Sequence, residues 1–193
     1  MPSASRPPSL RARHTAVTRE AILQAARRLF ARQGFAATAV RPIAEEAGVA
    51  VQTLYSAFGS KQGLLLALVD SIRDHTDAPE LWDRVARAKN PSGAIALAAR
   101  IRRQVLERCG DIVTTFREGA AVDPEVAAAY DEGQRRSRDG IARLCERLRE
   151  LGALQPGLAA GRAADQVAAL FSAEVYEELT GPRSGWSADE YEE

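Results

Sequence analysis

The sequence predicts an all-α protein: an N-terminal three-helix helix-turn-helix domain followed by a C-terminal helical bundle. Three observations predict it. Apolar residues are 46% of the chain and are mostly Ala and Leu, with few aromatics and few β-branched residues, which favours helix over strand. Apolar positions recur at three- and four-residue spacing through most of the 193 residues. The stretch Thr38 to Lys61, TAVRPIAEEAGVAVQTLYSAFGSK, sets two inward stripes on either side of Gly48: Val40, Ile43, Ala44 and Ala47 before it, Val49, Leu54 and Phe58 after it. A glycine just past the last periodic residue lets a helix stop in a left-handed conformation. Ala44 leaves room for a second helix to cross closely, and Leu54 plugs the gap between the two.

In chain order, residues 1–16 are rich in Ser, Pro and Arg without apolar periodicity and read as a disordered basic arm. Thr18 is placed to cap a helix from about Arg19 to Gln33, with Ala21, Ile22, Ala25, Ala26, Leu29 and Phe30 inward and Gly34 at its end. Phe35 is expected to plug that core. Pro42 falls in the first turn of the second helix, where a missing N–H costs little. The third helix is expected over about Val51 to Phe58. Ser60 then caps a fourth, which runs through Leu64, Leu65, Leu68, Val69 and Ile72 to about His75. These boundaries divide the chain into an arm (1–16), a helix-turn-helix domain (17–62) and a helical body (63–193).

Within the body, helical patterns cover Leu81 to Ala88, Gly93 to Cys109 and Ile112 to about Glu118, with breaks at Asn90-Pro91 and Gly110. Asp123-Pro124 is a cap followed by a first-turn proline and opens a long helix to Leu151. A further helix runs from about Ala160 to Leu179 until Gly181-Pro182 stops it, and Trp186 begins a short acidic piece.

The balanced net charge hides an asymmetry. Residues 1–61 carry nine Lys or Arg against three acids, so the remainder is acidic by the same surplus. A basic end on an acidic body, coinciding with a helix-turn-helix, points to a polyanion at that end. Other classes find little support. No stretch reaches the roughly 18 uninterrupted apolar residues of a membrane span, and the first residues lack a signal peptide's apolar core. Cys109 and Cys145 read as free thiols in a reducing cytoplasm and lack metal-ligand spacing. No metal site, cofactor motif or catalytic constellation is found: His14 lies in the arm, and His75 has no nucleophile or carboxylate at a telling distance.

Thr18, Ile22, Ala25, Ala26, Leu29, Phe30, Gly34 and Phe35, then Thr38, Ile43, Ala44, Ala47, Gly48 and Val49, then Thr53, Leu54, Tyr55, Phe58, Ser60, Lys61, Leu64 and Leu65, resemble the DNA-binding domain of the TetR family of transcriptional regulators. The resemblance covers Thr18 to about Leu68 and implies a TetR-like fold with double-stranded operator DNA as partner. The DNA-facing set is expected to be Thr38, Arg41, Val51, Gln52, Thr53, Tyr55, Ser56 and Lys61. Gln52 suits a base edge and Val51 a thymine methyl, whereas Thr53, Tyr55 and Lys61 suit phosphates. Arg6, Arg11 and Arg13 are placed where an arm can follow the minor groove. Three departures from the family, Ala39, Ala50 and Ala57, remove two N-cap side chains and a phosphate donor.

The family resemblance also implies a small-molecule ligand and a homodimer. Trp82, Phe116 and Tyr130 supply aromatic walls, and Gln134 and Ser137 polar anchors, for a mostly apolar pocket, although the same residues also fit an ordinary core with a polar edge. Ala163, Val167, Leu170, Phe171 and Val175 form a face broad enough to pack on its own copy. In the family the last two long helices make the dimer. Here only SADEYEE follows Trp186, so either the dimer is built differently or the chain stops inside that helix. The expected function is a cytoplasmic DNA-binding regulator, a repressor released by a ligand. The alternative is a dimeric ligand-binding or scaffold protein that has lost DNA binding.

Overall fold

The computed structural model describes residues 10–192. Among them the order is α1 Leu10–Gln33, α2 Val40–Glu46, α3 Val51–Phe58, α4 Lys61–Asp70, a 3₁₀ turn Ser71–His75, α5 Ala78–Ala86, α6 Pro91–Ala120, α7 Pro124–Glu150, α8 Ala160–Leu170, α9 Ala173–Thr180 and α10 Ala188–Glu192. The all-α expectation holds, and the three-helix unit sits where the sequence puts it.

Four boundaries differ. Helix α1 begins at Leu10, so residues 10–16 are helical and Thr18 lies inside a 24-residue helix instead of capping it. Leu10, Arg11, Ala12 and Arg13 are good helix formers and carry the helix outward. Arg13 is exposed on α1, while Arg6 lies outside the described residues. Gly110 does not break α6, because Cys109 and Ile112 on either side of it are both buried in one core. That packing outweighs a glycine penalty of about 1 kcal/mol. The fourth helix turns 3₁₀ at Ser71. The helix expected to run to Leu179 is interrupted at Phe171-Ser172, where Ser172 turns extended and accepts the Val175 N–H at 3.2 Å, starting α9 afresh.

The other caps follow the sequence. Asn90 accepts the Gly93 N–H at 2.7 Å to open α6. Asp123 accepts the Glu125 and Val126 N–H groups at 3.0 and 3.1 Å to open α7. Gln104, buried in α6, exchanges two 3.0 Å hydrogen bonds with Asp77 and so fixes the start of α5.

The largest core does not respect the boundary at residue 62. Ile22, Phe30 and Phe35 beside α1, Ile43, Leu54 and Phe58 of α2 and α3, and Leu64, Leu65 and Leu68 of α4 pack in one cluster with Cys109, Ile112 and Phe116 of α6 and Val126 of α7. The fourth helix is therefore one of several links between the helix-turn-helix and the body. Arg27 on α1 grips Asp111 on α6 with two bonds of 2.6 and 2.7 Å and also donates to the Arg108 carbonyl. Gln62 on α4 donates to Asp123 at the start of α7 at 2.7 Å. The narrowest point is Gly119, where an added Cβ would lie 3.0 Å from Leu65, 3.1 Å from Val126 and 3.3 Å from Phe35. A second cluster joins α5, α6 and α7 through Leu81, Val85, Ala98, Ile101, Leu144 and Leu148. A third joins α7 to α8 through Ile141, Cys145 and Ala163. The two cysteines are free and buried in different clusters.

Gly119→Val is expected to destabilise the fold by about 1–3 kcal/mol through overpacking, read as a lower midpoint in denaturant titration. A second prediction concerns pH. The Asp123 carboxylate is held below its ordinary range by the Gln62 amide first and by the Val126 N–H next. A depressed carboxylate adds stability above the unfolded-chain pKa, and that stability is lost as pH falls through the folded value. Gln62→Ala removes the largest cause, so the variant is expected to be less stable than the parent at neutral pH. The gap should narrow as pH drops below ~4, measured by denaturant titration across pH.

Candidate nucleic-acid interface and ligand cavity

The helix-turn-helix is held from inside by volume. Gly48 takes a positive φ of 68°. The chain then turns so that the Val49 N–H reaches the Ala44 carbonyl at 3.0 Å. Ile43, Ala44 and Leu54 are fully buried beneath it. At the far end of α3, Arg19 of α1 donates to the Ala57 carbonyl at 2.7 Å and lies over the Phe58 ring, 4.1 Å from its centroid. A cation at a helix C-terminus satisfies an orphan carbonyl and suits the dipole. Gly63 lets α4 pass under α3, since a Cβ there would collide with the Phe58 carbonyl oxygen. Neither Arg19 nor Gly63 stands out from local pattern, because their partners are distant or on the neighbouring helix.

With Leu54 and Phe58 inward, α3 leaves Gln52, Thr53, Tyr55 and Ser56 exposed and Val51 half-buried. Tyr55 is 43% exposed. Arg41 is exposed at the start of α2 and pairs with Glu45 one turn on at 2.9 Å. These six residues share one polar, short-reaching surface with donors and acceptors fit for base edges and phosphates. The N-caps of α2 and α3 are Ala39 and Ala50, and neither makes a side-chain capping bond. Ser60 does cap α4, accepting the Gly63 N–H at 2.9 Å. The first N–H groups of that helix have no internal partner, as at any helix start, and suit an anion.

Two of the expected DNA contacts are placed otherwise. Thr38 is 1% exposed, and its hydroxyl donates to the Gly34 carbonyl at 2.7 Å, closing the end of α1. Lys61 turns its ammonium onto the same loop: it donates to the carbonyls of Phe35, Ala36 and Thr38 at 2.8, 3.3 and 3.1 Å and lies 4.4 Å from the Phe35 ring centroid. All three ammonium donors are thereby engaged, and burial pushes the Lys61 pKa down. A loop leaving a helix carries carbonyls that need donors, and these two side chains are within reach. Much of the basic surplus is likewise tied up, with Arg28 and Arg32 on Glu46 and Arg27 on Asp111.

In the body a cavity of about 460 Å³ opens between α6, α7 and the α8–α9 break. Tyr130, Gln134 and Ser137 line it as expected. Phe116 stands one layer behind, edge-on to Tyr130 with ring centroids 5.3 Å apart. Trp82 is not part of it: its ring packs against Gly140 and under Arg143, in the cluster of α5 with α6 and α7. Nor is the lining mostly apolar, for Arg102, Arg117, Arg138, Asp165 and Glu174 join Ile141 and Phe171. The face expected to meet a second copy is largely turned inward. Ala163 is buried, and Val167 and Phe171 pack with it against α7, while Val175 is half-buried and Leu170 alone of the five is well exposed, at 63%. An amphipathic helix covers its apolar stripe with whatever lies nearest, and α7 of the same chain is nearest.

Residues 22–68 match the family model for bacterial regulatory proteins, tetR family. The helix-turn-helix domain is of the TetR type over those residues. It is 33% identical over 100 residues to the HTH-type transcriptional regulator TtgR of Pseudomonas putida, a match covering 52% of this chain and 45% of that protein. The chain thus spans less than half the length of the curated relatives it matches. Among solved structures it is similar to NalD, the secondary repressor of the MexAB-OprM multidrug efflux pump in Pseudomonas aeruginosa, with a TM-score of 0.73 and 22% identity over 92% of this chain and 90% of that one. It is also similar to the SmeT–triclosan complex, with a TM-score of 0.68 and 25% identity over 89% and 87%. Among the described residues, no helix is long and apolar enough to cross a membrane.

Lys61→Met is expected to cost about 1–2 kcal/mol of stability, because three carbonyls lose a shared donor. The salt dependence of DNA binding should keep its slope. A phosphate contact would give the reverse, an unchanged melting temperature and a slope lower by about 0.9 per subunit.

Proposed function

We propose that this TetR-family protein is a cytoplasmic, homodimeric regulator that binds operator DNA through α3 and represses transcription until a small molecule fills the body. The observation that carries the reading is the outward set Gln52, Thr53, Tyr55 and Ser56, with Val51 and Arg41 at its edge, on a short helix held rigidly by Gly48, Leu54 and Arg19. An eight-residue helix reads only a few base pairs. Two copies with their recognition helices in successive major grooves, roughly 34 Å apart, supply the rest. Gln52 is assigned to an adenine edge, Val51 to a thymine methyl, Thr53 and Tyr55 to phosphates, and the N-terminus of α4 to a further phosphate in place of the Lys61 ammonium.

The ligand half of the reading draws support from the cavity and from the triclosan complex of SmeT. A ligand that binds better to one spacing of the two reading heads weakens DNA binding by its differential affinity, and DNA weakens the ligand equally. Tyr130 on the cavity wall rests on Phe116, and Phe116 belongs to the core that holds Phe35, Leu65 and the helix-turn-helix. A shift at the wall therefore reaches the DNA-binding unit through packed side chains.

The test is a titration of the full chain against a duplex from its own upstream region, across salt, with random duplex as competitor. Specific binding by a dimer, steep in salt, is expected. Gln52→Ala should cost about 1–3 kcal/mol on the operator and relax one base pair per half-site, with binding to random DNA unchanged. Equal losses on both duplexes would remove Gln52 as a base reader, and no preference for any duplex, even after selection from random DNA, would favour the scaffold.

A further inference from the structure

The cavity carries three guanidinium groups against two carboxylates, and they are not equivalent. Arg117 and Glu174 form an ion pair with one another. Arg138 and Asp165 are exposed to solvent. Arg102 is different. It projects from the middle of α6, its Nε is buried without a hydrogen-bond partner, and among the described residues it forms no ion pair. The nearest electrostatic influences on it are Tyr191, Glu174 and Tyr130. Of these, Glu174 is already engaged by Arg117, and the Tyr191 hydroxyl is itself buried with no partner. Burial pushes the Arg102 pKa down, yet a guanidinium stays protonated at any physiological pH.

A half-buried guanidinium whose Nε is wholly out of solvent and which has no direct ion-pair partner is costly to keep. The other half-buried arginines among the described residues are engaged: Arg27 holds Asp111 and a carbonyl, Arg103 holds Glu107, Asp189 and Glu192, Arg117 holds Glu174, and Arg147 holds Glu150 and the Ala88 carbonyl. The exception faces a cavity whose Tyr130 wall rests on Phe116 of the core shared with the helix-turn-helix.

We infer that Arg102 is the anchor for the anionic head of a small amphiphilic ligand, a carboxylate on a short alkyl or aryl body. The head meets the guanidinium of Arg102, which offers planar, charge-assisted donors to a carboxylate. The body lies against Tyr130, Ile141 and Phe171, with Gln134 and Ser137 at hand for a second polar group. A cavity of about 460 Å³ is within the range that encloses a molecule of this size. This rests on the proposed ligand-responsive reading and gives that ligand a chemical class.

The experiment uses the full-length protein and matched probes, octanoate and phenylbutanoate against the uncharged octanamide and phenylbutanamide, by calorimetry at constant ionic strength. The carboxylates are expected to bind at least about tenfold more tightly than their amides. Arg102→Met should erase that preference while its thermal midpoint stays level or rises, since an unmatched buried charge has been removed. Retained preference in Arg102→Met, or a fall in its midpoint with affinity unchanged, would overturn the assignment and make Arg102 a structural residue. Equal binding of acids and amides would overturn the anionic class while leaving the ligand-responsive reading in place. If no carboxylate binds, the class is likewise wrong, and release of the operator by uncharged compounds would show that the broader reading survives.

Discussion

The contact on which the rest of the structure depends is the packing of Phe35, Leu65 and Val126 around Gly119. Three of these come from different parts of the chain: the loop after α1, the fourth helix and the seventh. All converge where the sixth helix has no side chain. A small DNA-binding unit of one longer and two short helices buries little apolar surface by itself. Here its core is completed by Cys109, Ile112, Phe116 and Val126 of the body. The same arrangement suits the proposed ligand response, because a rigid, close-packed junction transmits displacement where a flexible linker would absorb it. The ion pair of Arg27 with Asp111 and the amide–carboxylate bond of Gln62 with Asp123 flank this contact and fix its register.

How far the sequence could be read depended on the range of each interaction. The helix-turn-helix was legible because its determinants are local: Gly48 needs a positive φ, Ala44 a small volume, and Leu54 and Phe58 one face, all within a few turns. The capping of α7 by Asp123 was legible for the same reason. Thr38 and Lys61 were not, although both lie in the same motif. A hydroxyl or an ammonium beside a reading head suits a phosphate, and it suits equally well the unpaired carbonyls at the end of α1. Which one it meets is decided by where a loop some 25 residues earlier comes to rest, as the Lys61–Phe35 separation of 26 shows. Gly110 misled in the opposite direction, since a local preference gave way to burial on both sides. The face of α8 is a third case. Period and small size reveal that Ala163, Val167 and Phe171 are covered, but not whether the cover is α7 or a second chain.

Charge was similarly legible as a sum and not as a distribution. The basic surplus of the first 61 residues is real. Yet Arg19, Arg27, Arg28, Arg32 and Lys61 hold carbonyls, carboxylates or rings inside the molecule. They raise the potential over that end, which steers a polyanion toward it. The side chains free to touch DNA directly are mostly uncharged. In the proposed reading, affinity from the field and discrimination from Gln52 and Val51 are carried by different residues, and the two respond differently to salt.

An arginine without an ion-pair partner in the body, set against a largely engaged set of charges in the head, suits the proposed switch. Arg19, Arg27 and Lys61 are satisfied internally and hold the head in one shape. In the proposed reading the cavity gains free energy on being filled, and a half-buried guanidinium without an ion-pair partner provides a difference between the empty and filled states that a satisfied core would lack. That difference matters only if it reaches the junction. The edge-on contact of Tyr130 with Phe116 is the shortest such route, since Tyr130 lines the cavity and Phe116 sits in the core shared with Phe35 and Leu65. A ligand that repositions Tyr130 therefore acts on Phe116 through that ring contact, and through the shared core on the close packing at Gly119.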